Sequence, residues 1–286
     1  MGPSVVRYFD DKGPLGFDNL TQAYGTWAPS DDLSLDLGMF GTIYGAEVAE
    51  SWQNMNYTRG ALYFAMQPFW HTGLRASYQL SDSLGLTALV VNGINNVSED
   101  FEEAAGKLPS FGLQAAISLG AAEVYLGWLG AFGEDDAPIE EGMLADQFVD
   151  LVISAGLGDL SLLLNADLGL QSDADTSYYG ASLALGYPLA NWASVAVRGE
   201  YLAYPDNTKA DFAKDDDGAV LSAGAYESLV TGTLTLDFKP VPNKENVIIR
   251  GDLRYELADG DAFADVDGEP TAGWYTAVLG AVVTTN

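Results

Sequence analysis

From residue 31 onward, apolar residues alternate with small or polar ones in segments of about ten, the period that sends successive side chains to opposite faces of a strand. In residues 74–80, Leu74, Ala76, Tyr78 and Leu80 share one face and Arg75, Ser77 and Gln79 the other. Residues 247–257 set Val247, Ile249, Gly251, Leu253, Tyr255 and Leu257 against Arg250, Asp252, Arg254 and Glu256. Residues 230–239 set Val230, Gly232, Leu234, Leu236 and Phe238 against Thr231, Thr233, Thr235, Asp237 and Lys239. The same alternation predicts strands over 33–39, 84–91, 111–119, 123–130, 149–157, 160–170, 179–187 and 195–202, and less cleanly over 17–27 and 273–284.

One apolar face per strand suits either a soluble sandwich or a sheet whose apolar side meets lipid. Two features favour lipid. The polar faces are rich in Gly, Ser, Ala and Thr with interspersed charges, as a crowded aqueous interior requires. The predicted strands, about 9–11 residues long, match a tilted crossing of the hydrocarbon layer.

The connections strengthen this choice. Short turns are expected at 29–32, 81–83, 120–122, 158–159, 189–191 and 239–246. Between them lie longer, mostly acidic connections at 45–71, 93–107, 133–145, 171–177, 205–226 and 258–272. Alternation of short and long connections is the habit of outer-membrane barrels, with short periplasmic turns and long outer loops. A sandwich has no reason to keep it. Thirteen strands are predicted over 17–284, with a short further one around 5–9. The expectation is therefore a single all-β domain over 1–286, a closed antiparallel transmembrane β-barrel of about 14 strands, with 12 to 16 compatible. Tyr187 and Trp192 near short turns, and Tyr201, Tyr204 and Trp274 toward long ones, fit an interfacial aromatic girdle.

Composition changes the picture in three places. Hydrophobic residues make up 48% of the 286, yet no run approaches the roughly 18 apolar residues of a membrane helix. Cysteine is absent, which removes disulfides, thiolate metal sites and c-type haem attachment, and no cofactor is expected. Twelve basic against 41 acidic residues leave a formal charge of −29, which repels phosphate backbones and argues against nucleic-acid binding. The opening Met1-Gly2-Pro3-Ser4 lacks a basic stretch followed by an apolar one, so a mature or an engineered chain with an added Met1 is expected.

Several motifs stand in order over residues 17–96: Phe17-Asp18-Asn19-Leu20-Thr21-Gln22-Ala23-Tyr24, Gly38-Met39-Phe40-Gly41-Thr42 with Gly45 and Glu47, and Asn54-Met55-Asn56-Tyr57-Thr58-Arg59. Pro68-Phe69-Trp70-His71-Thr72-Gly73-Leu74-Arg75-Ala76-Ser77-Tyr78 and Val91-Asn92-Gly93 follow. In these residues the chain resembles the OmpL-like β-barrel porin family. The resemblance implies an outer-membrane porin with no assigned substrate. The chain departs from the family pattern in a shortened opening strand and in ending Thr284-Thr285-Asn286 rather than on an aromatic residue.

The predicted inward face carries Arg75, Arg198, Lys239, Arg250 and Arg254 against Asp36, Glu123, Asp150, Asp167, Glu200, Asp237, Asp252 and Glu256, five bases to eight acids. Charges lining a pore set ion selectivity through their local field, so a modest cation preference is expected. The same residues could instead form cross-strand ion pairs that hold the wall. Residues 45–71, with Trp52, Met55, Tyr57, Leu62, Tyr63, Phe64, Met66, Phe69 and Trp70, are too long for a turn and too apolar for a solvated loop. They are expected either to fold into the lumen, with Glu47 and Arg59 near a constriction, or to pack on the rim, or to form two extra strands.

Other chemistry is weaker. His71 is the single histidine, with no Ser or Asp beside it in a triad pattern, and a structural role is expected. Asp259-Gly260-Asp261, Asp265-Val266-Asp267-Gly268-Glu269 and Asp215-Asp216-Asp217-Gly218 offer oxygens for calcium, but not at EF-hand spacing, and no metal site is expected. No glycine-rich phosphate loop stands between a strand and a helix. Gly199, Gly232 and Gly251 read as strand positions that allow close packing or bending. The expected function is passive diffusion of ions and small hydrophilic solutes through a narrow pore, without enzymatic activity, in contact with outer-membrane lipid and lipopolysaccharide. The alternative is a non-conducting barrel that serves as an anchor, adhesin or sheath for a partner.

Overall fold

The computed structural model describes residues 22–91, 109–130, 147–170, 177–203, 226–241, 246–265 and 269–284. Thirteen antiparallel strands follow one another in a single sheet: β1 (Ala23–Trp27), β2 (Leu33–Gly41), β3 (Trp70–Ser81), β4 (Leu84–Val91), β5 (Ser110–Ser118), β6 (Ala122–Gly130), β7 (Gln147–Leu157), β8 (Leu160–Leu170), β9 (Ser177–Ala190), β10 (Ala193–Ala203), β11 (Ser228–Phe238), β12 (Val247–Ala258) and, after a small hairpin, β15 (Gly273–Val283). The hairpin, β13 (Phe263–Ala264) with β14 (Pro270–Thr271), lies in a stretch expected to be purely a connection. The predicted strand around 5–9 and the start of the one over 17–27 lie outside the described residues. Apart from β12 and β15, which pair across the β13–β14 hairpin, every sheet neighbour is a sequence neighbour, so each β-branched or aromatic-rich run pairs with the next through the connection that joins them. Tight turns join β5 to β6 and β7 to β8, where Gly120 and Gly158 adopt φ of 77° and 66°, a left-handed backbone that glycine enters without steric cost.

Polarity across the sheet is inside out. Leu253 is 54% exposed and Leu279 79% exposed, and Tyr78, Leu126, Val230, Leu236 and Tyr255 share that outward side. The opposite side buries Asp36, Asp150, Asp167, Arg198, Glu200, Thr231, Thr233, Thr235, Arg250 and Asp252. A sheet in water would do the reverse, because each exposed leucine forgoes about 1.5–3 kcal/mol of transfer free energy. With lipid outside, the same surface is already in its preferred solvent. Tyr187, Trp192, Tyr201 and Trp274 stand exposed on this sheet, while Tyr204 lies outside the described residues.

The sheet curls. β3 and β15 are third and thirteenth in order, ten spacings or about 48 Å apart in a flat sheet. Between Trp70 in β3 and Tyr57, whose hydroxyl approaches Gly280 of β15, the chain includes helix α1 (Ala61–Met66) and reaches at most about 40 Å, side chain included. Residues 42–69, which join β2 to β3, lie against the polar side of this curled sheet and build two apolar clusters there. Phe40, Tyr44, Leu89, Val91, Leu129 and Phe148 form one. Ala61, Leu62 and Met66 of α1 pack with Tyr178, Leu202, Leu229, Ala258 and Ala262 in the other.

Candidate functional site

The polar face is a network of charges, most of them paired with acids or bases on the same or the next strand. Arg75 Nη2 lies 2.7 Å from Asp36 Oδ2, directly across the β2–β3 register, and Thr26 Oγ1 donates to the other Asp36 oxygen at 2.6 Å. Arg250 Nε donates to Asp237 Oδ1 at 2.8 Å across β11–β12, and Arg254 Nη2 to Glu256 Oε1 at 2.7 Å. Glu123 takes both its bonds from Ser118 Oγ at 2.7 Å, and Lys239 follows the end of β11 half-buried. Such pairing follows from the sequence pattern, because cross-strand neighbours on one face meet at about 5 Å.

Two strands of this wall, β10 and β12, fasten the segment 42–69. Arg198 Nη1 donates to Glu47 Oε1 at 2.5 Å and to the Thr58 carbonyl at 2.8 Å. Arg250 donates to the carbonyls of Ser51 and Met55, and Arg254 to that of Arg59. The acids take the segment's amides. Glu200 accepts from the N–H groups of Ala61 and Leu62, both at 3.1 Å, and Asp252 from the Thr58 amide at 2.6 Å and its hydroxyl at 2.7 Å. The first turn of α1 lacks a side-chain cap from its own N-cap residue, Gly60, so Glu200 of a distant strand satisfies its free amides. Of the two residues expected at a constriction, Glu47 is held by Arg198 and by the Gly60 amide at 2.5 Å. Arg59 bonds the Ala49 carbonyl and lies over the rings of Tyr63 and Phe64, at 5.6 and 5.2 Å from their centres.

On the far side, β7 and β8 hold the segment's two ends without any arginine. Asn165 Oδ1 accepts from the Ala46 amide at 2.9 Å and from Gln67 Nε2 at 2.5 Å. Its Nδ2 donates to Asp150 Oδ1 at 2.8 Å and to Asp167 Oδ1 at 3.0 Å. Tyr44 reaches past them to give its hydroxyl to the Trp128 carbonyl at 2.8 Å. Asp150 and Asp167, predicted to line water, are instead covered by this arm at 0% and 3% exposure.

Asn165, Gln67 and Tyr44 were not singled out in the sequence. The signal that could have found them is glycine on the polar face. A Cβ at Gly127 would sit 2.5 Å from Tyr44 Cδ1, one at Gly112 would meet its hydroxyl, and one at Gly180 would sit 2.6 Å from Leu62 Cδ1. Of the three glycines expected to allow close packing or bending, Gly199 and Gly232 face outward with nothing within 4 Å, while Gly251 has Leu279 Cδ1 at 3.7 Å from the place of a Cβ.

Below the segment opens a cavity of about 510 Å³, lined by Trp52, Gln53, Met55, Ser161, Ser194 and the Asp237–Arg250 pair among others. His71 is buried against the rings of Phe40 and Tyr44, with Nε2 3.0 Å from Thr42 Oγ1. Among the described residues no three His, Cys, Asp or Glu side chains converge as metal ligands; residues 215–218 and 266–268 lie outside them. At the long-connection end, Asp259 is partly desolvated, which opposes ionisation. Bonds from the Ser228 and Glu227 regions outweigh this and hold its carboxyl below the ordinary aspartate range.

A family model described as Putative beta-barrel porin-2, OmpL-like, matches residues 3–284. No curated protein matches the chain. Among solved structures, the fold is similar to OprB of Pseudomonas putida at high pH, with a TM-score of 0.55 and 13% identity over 92% of this chain and 71% of that one. It is also similar to a loop L8 deletion mutant of OmpT, an outer membrane protein of Vibrio cholerae, with a TM-score of 0.52 and 14% identity over 89% and 76% of the two chains. At these identities the likeness is one of fold.

Proposed function

The chain belongs to the OmpL-like β-barrel porin family, and on that premise we propose that it forms a narrow, modestly cation-preferring pore for ions and small hydrophilic solutes in the outer membrane. The observation that carries this reading is the inversion of polarity: leucines face outward, and the charges from Asp36 to Glu256 face the side on which residues 42–69 lie. In this reading the curled sheet closes, the short turns face the periplasm, and the long acidic connections face the lipopolysaccharide. Residues 42–69 then narrow the lumen, with the wall of β10–β12 fixing their position. Glu47 and Arg59 stand at that narrowing.

The cation preference follows from how the charges pair. Arg75, Arg198, Arg250 and Arg254 each have an acid within salt-bridge distance, which cancels their field locally. Glu123 and Asp252 have hydrogen-bond donors but no salt-bridge partner among the described residues, so the residual field is negative.

Single-channel recording in a planar bilayer, with the reversal potential taken in a salt gradient, tests both parts. Discrete steps with a small cation-selective reversal potential are expected. An anion-selective potential would remove the selectivity assignment and leave the pore. A folded but silent protein would favour the second reading, an anchor or sheath whose acidic connections meet a partner. The fastening of residues 42–69 to both sides of the sheet is the observation that keeps that reading in play.

A further inference from the structure

Asp150 and Asp167 face each other directly across the β7–β8 register, the arrangement in which two like charges repel most strongly in a sheet. Both are buried, and among the described residues neither has a salt-bridge partner. Asn165 Nδ2 donates to both, at 2.8 Å to Asp150 Oδ1 and 3.0 Å to Asp167 Oδ1, so one amide group draws the two carboxyls together where two full negative charges would repel. Asp150 Oδ2 is buried without a hydrogen-bond partner among the described residues, an oxygen on which a proton can sit. The groups facing the pair are uncharged or distant from it in chemistry. The inserted segment contributes the Tyr44 phenol and the Gly45 amide, β6 contributes Gly127, β8 Asn165, and β9 Tyr178. Glu47 lines a neighbouring small cavity with Gln67 and Asn165, but its charge is matched by Arg198.

We propose that Asp150 and Asp167 hold one proton between them, and that this proton is the latch that keeps the Tyr44–Ala46 and Gln67 ends of the inserted segment against β7–β8. The two sides of the segment are built from opposite chemistry. On β10–β12 each acid has an arginine or an array of amides. On β7–β8 the two carboxyls have amide donors but no salt-bridge partner among the described residues, and the shared proton removes one of the two charges. When base removes it, the bridging O–H bond breaks and the proton passes to hydroxide in the lumen water. Two adjacent carboxylates remain in a dry site, and relief comes from letting water in, which means lifting the arm that covers them. The segment then swings on its arginine-held side and the pore widens. This latch rests on the porin reading, since a widening needs a pore to widen.

Two measurements on the full-length protein decide it. Single-channel conductance is expected to rise about two-fold or more between roughly pH 6 and pH 10, and to be flat and low in Asp150→Asn and Asp167→Asn. An amide opposite one carboxylate reproduces the protonated pair, so these variants keep the fold and the latch while losing the titration. Infrared difference spectra of the protein in lipid, across the same range, are expected to lose a protonated-carboxyl band that both variants lack from the start. A conductance that does not move with pH, or a rise that survives in both variants, overturns the latch; absence of the infrared band overturns the shared proton. Silence at every pH overturns the latch together with the porin reading, and the infrared band then shows that the proton stands without the pore.

Discussion

Arg198 and Glu47 meet at 2.5 Å between the middle of β10 and the inserted segment, and the same guanidinium places Nε 3.2 Å from Glu200 on its own strand. One buried cation thus compensates two buried carboxylates. Arg198→Ala leaves both without it, a loss of about 3–5 kcal/mol for a buried pair deprived of one partner. Thermal unfolding in detergent is expected to fall accordingly, with Glu47→Gln clearly milder because it leaves Arg198 paired with Glu200. Equal effects of the two changes would mean that the pair is not organised around Arg198.

Deleting residues 50–66 removes Met55, Arg59 and α1, and with them most bonds to β10–β12. Single-channel conductance is expected to increase, because the polar wall stays and its occupant goes. A deletion protein that folds and conducts as before would show that this segment does not narrow the pore.

Gly127→Ala puts a methyl 2.5 Å from Tyr44 Cδ1, in a cluster already filled by Phe40, Leu89, Leu129 and Phe148. Overpacking of this kind costs about 1–3 kcal/mol. The expected outcome is a displaced Tyr44 and a noisier, larger conductance, with strand content unchanged by circular dichroism. Gly199→Ala, with nothing within 4 Å, is the matched control and is expected to be silent in both assays.

Leu234 and Leu253 oppose each other at the centre of the β11–β12 ladder and face outward. Leu253→Arg places a charge near the bilayer midplane, where it costs about 2–4 kcal/mol. Urea unfolding in lipid vesicles should report that loss. A soluble sheet would accept an arginine at an exposed site within experimental error, so a neutral result would argue against the lipid-facing assignment.

The Asp259 carboxyl is held below the ordinary aspartate value of 3.8 despite some desolvation, by bonds from Ser228, Glu227 and its own backbone. For an acid whose folded value is depressed, the stabilisation is present above the ordinary value and is lost as pH falls through the folded one. Protection of the Glu227 amide from hydrogen exchange should therefore weaken only in the acid range, and Asp259→Asn should remove the dependence. An unchanged acid profile in the variant would assign the effect elsewhere.

Much of this architecture was legible in one dimension. Predicted residues 84–91 and 160–170 coincide with β4 and β8, and the other described strands differ from their predicted spans by a few residues at the ends. Period-two alternation is a local property, and in a meander each strand pairs with its sequence neighbour, so no long-range information is needed to order the sheet. The cross-strand pairs Asp36–Arg75 and Asp237–Arg250 follow from the same local register. The hairpin of β13 and β14 was missed because each strand is two residues long, too short to show a period.

The path of residues 42–69 is of another kind. Their composition left an inward fold, a rim position and two extra strands all open, since hydrophobicity says that a segment is covered but not by what. The contacts that place them join Ala61 to Glu200, Thr58 to Asp252 and Ala46 to Asn165, residues brought together only once the sheet has curled. The same holds for Asp150 and Asp167. The sequence alone determined that they share a polar face, because side-chain parity along a strand is set by the backbone. That the face is dry at that point, and that the two carboxyls stand under an arm with no base beside them among the described residues, was decided by the tertiary structure, because burial depends on what a distant segment lays across the wall.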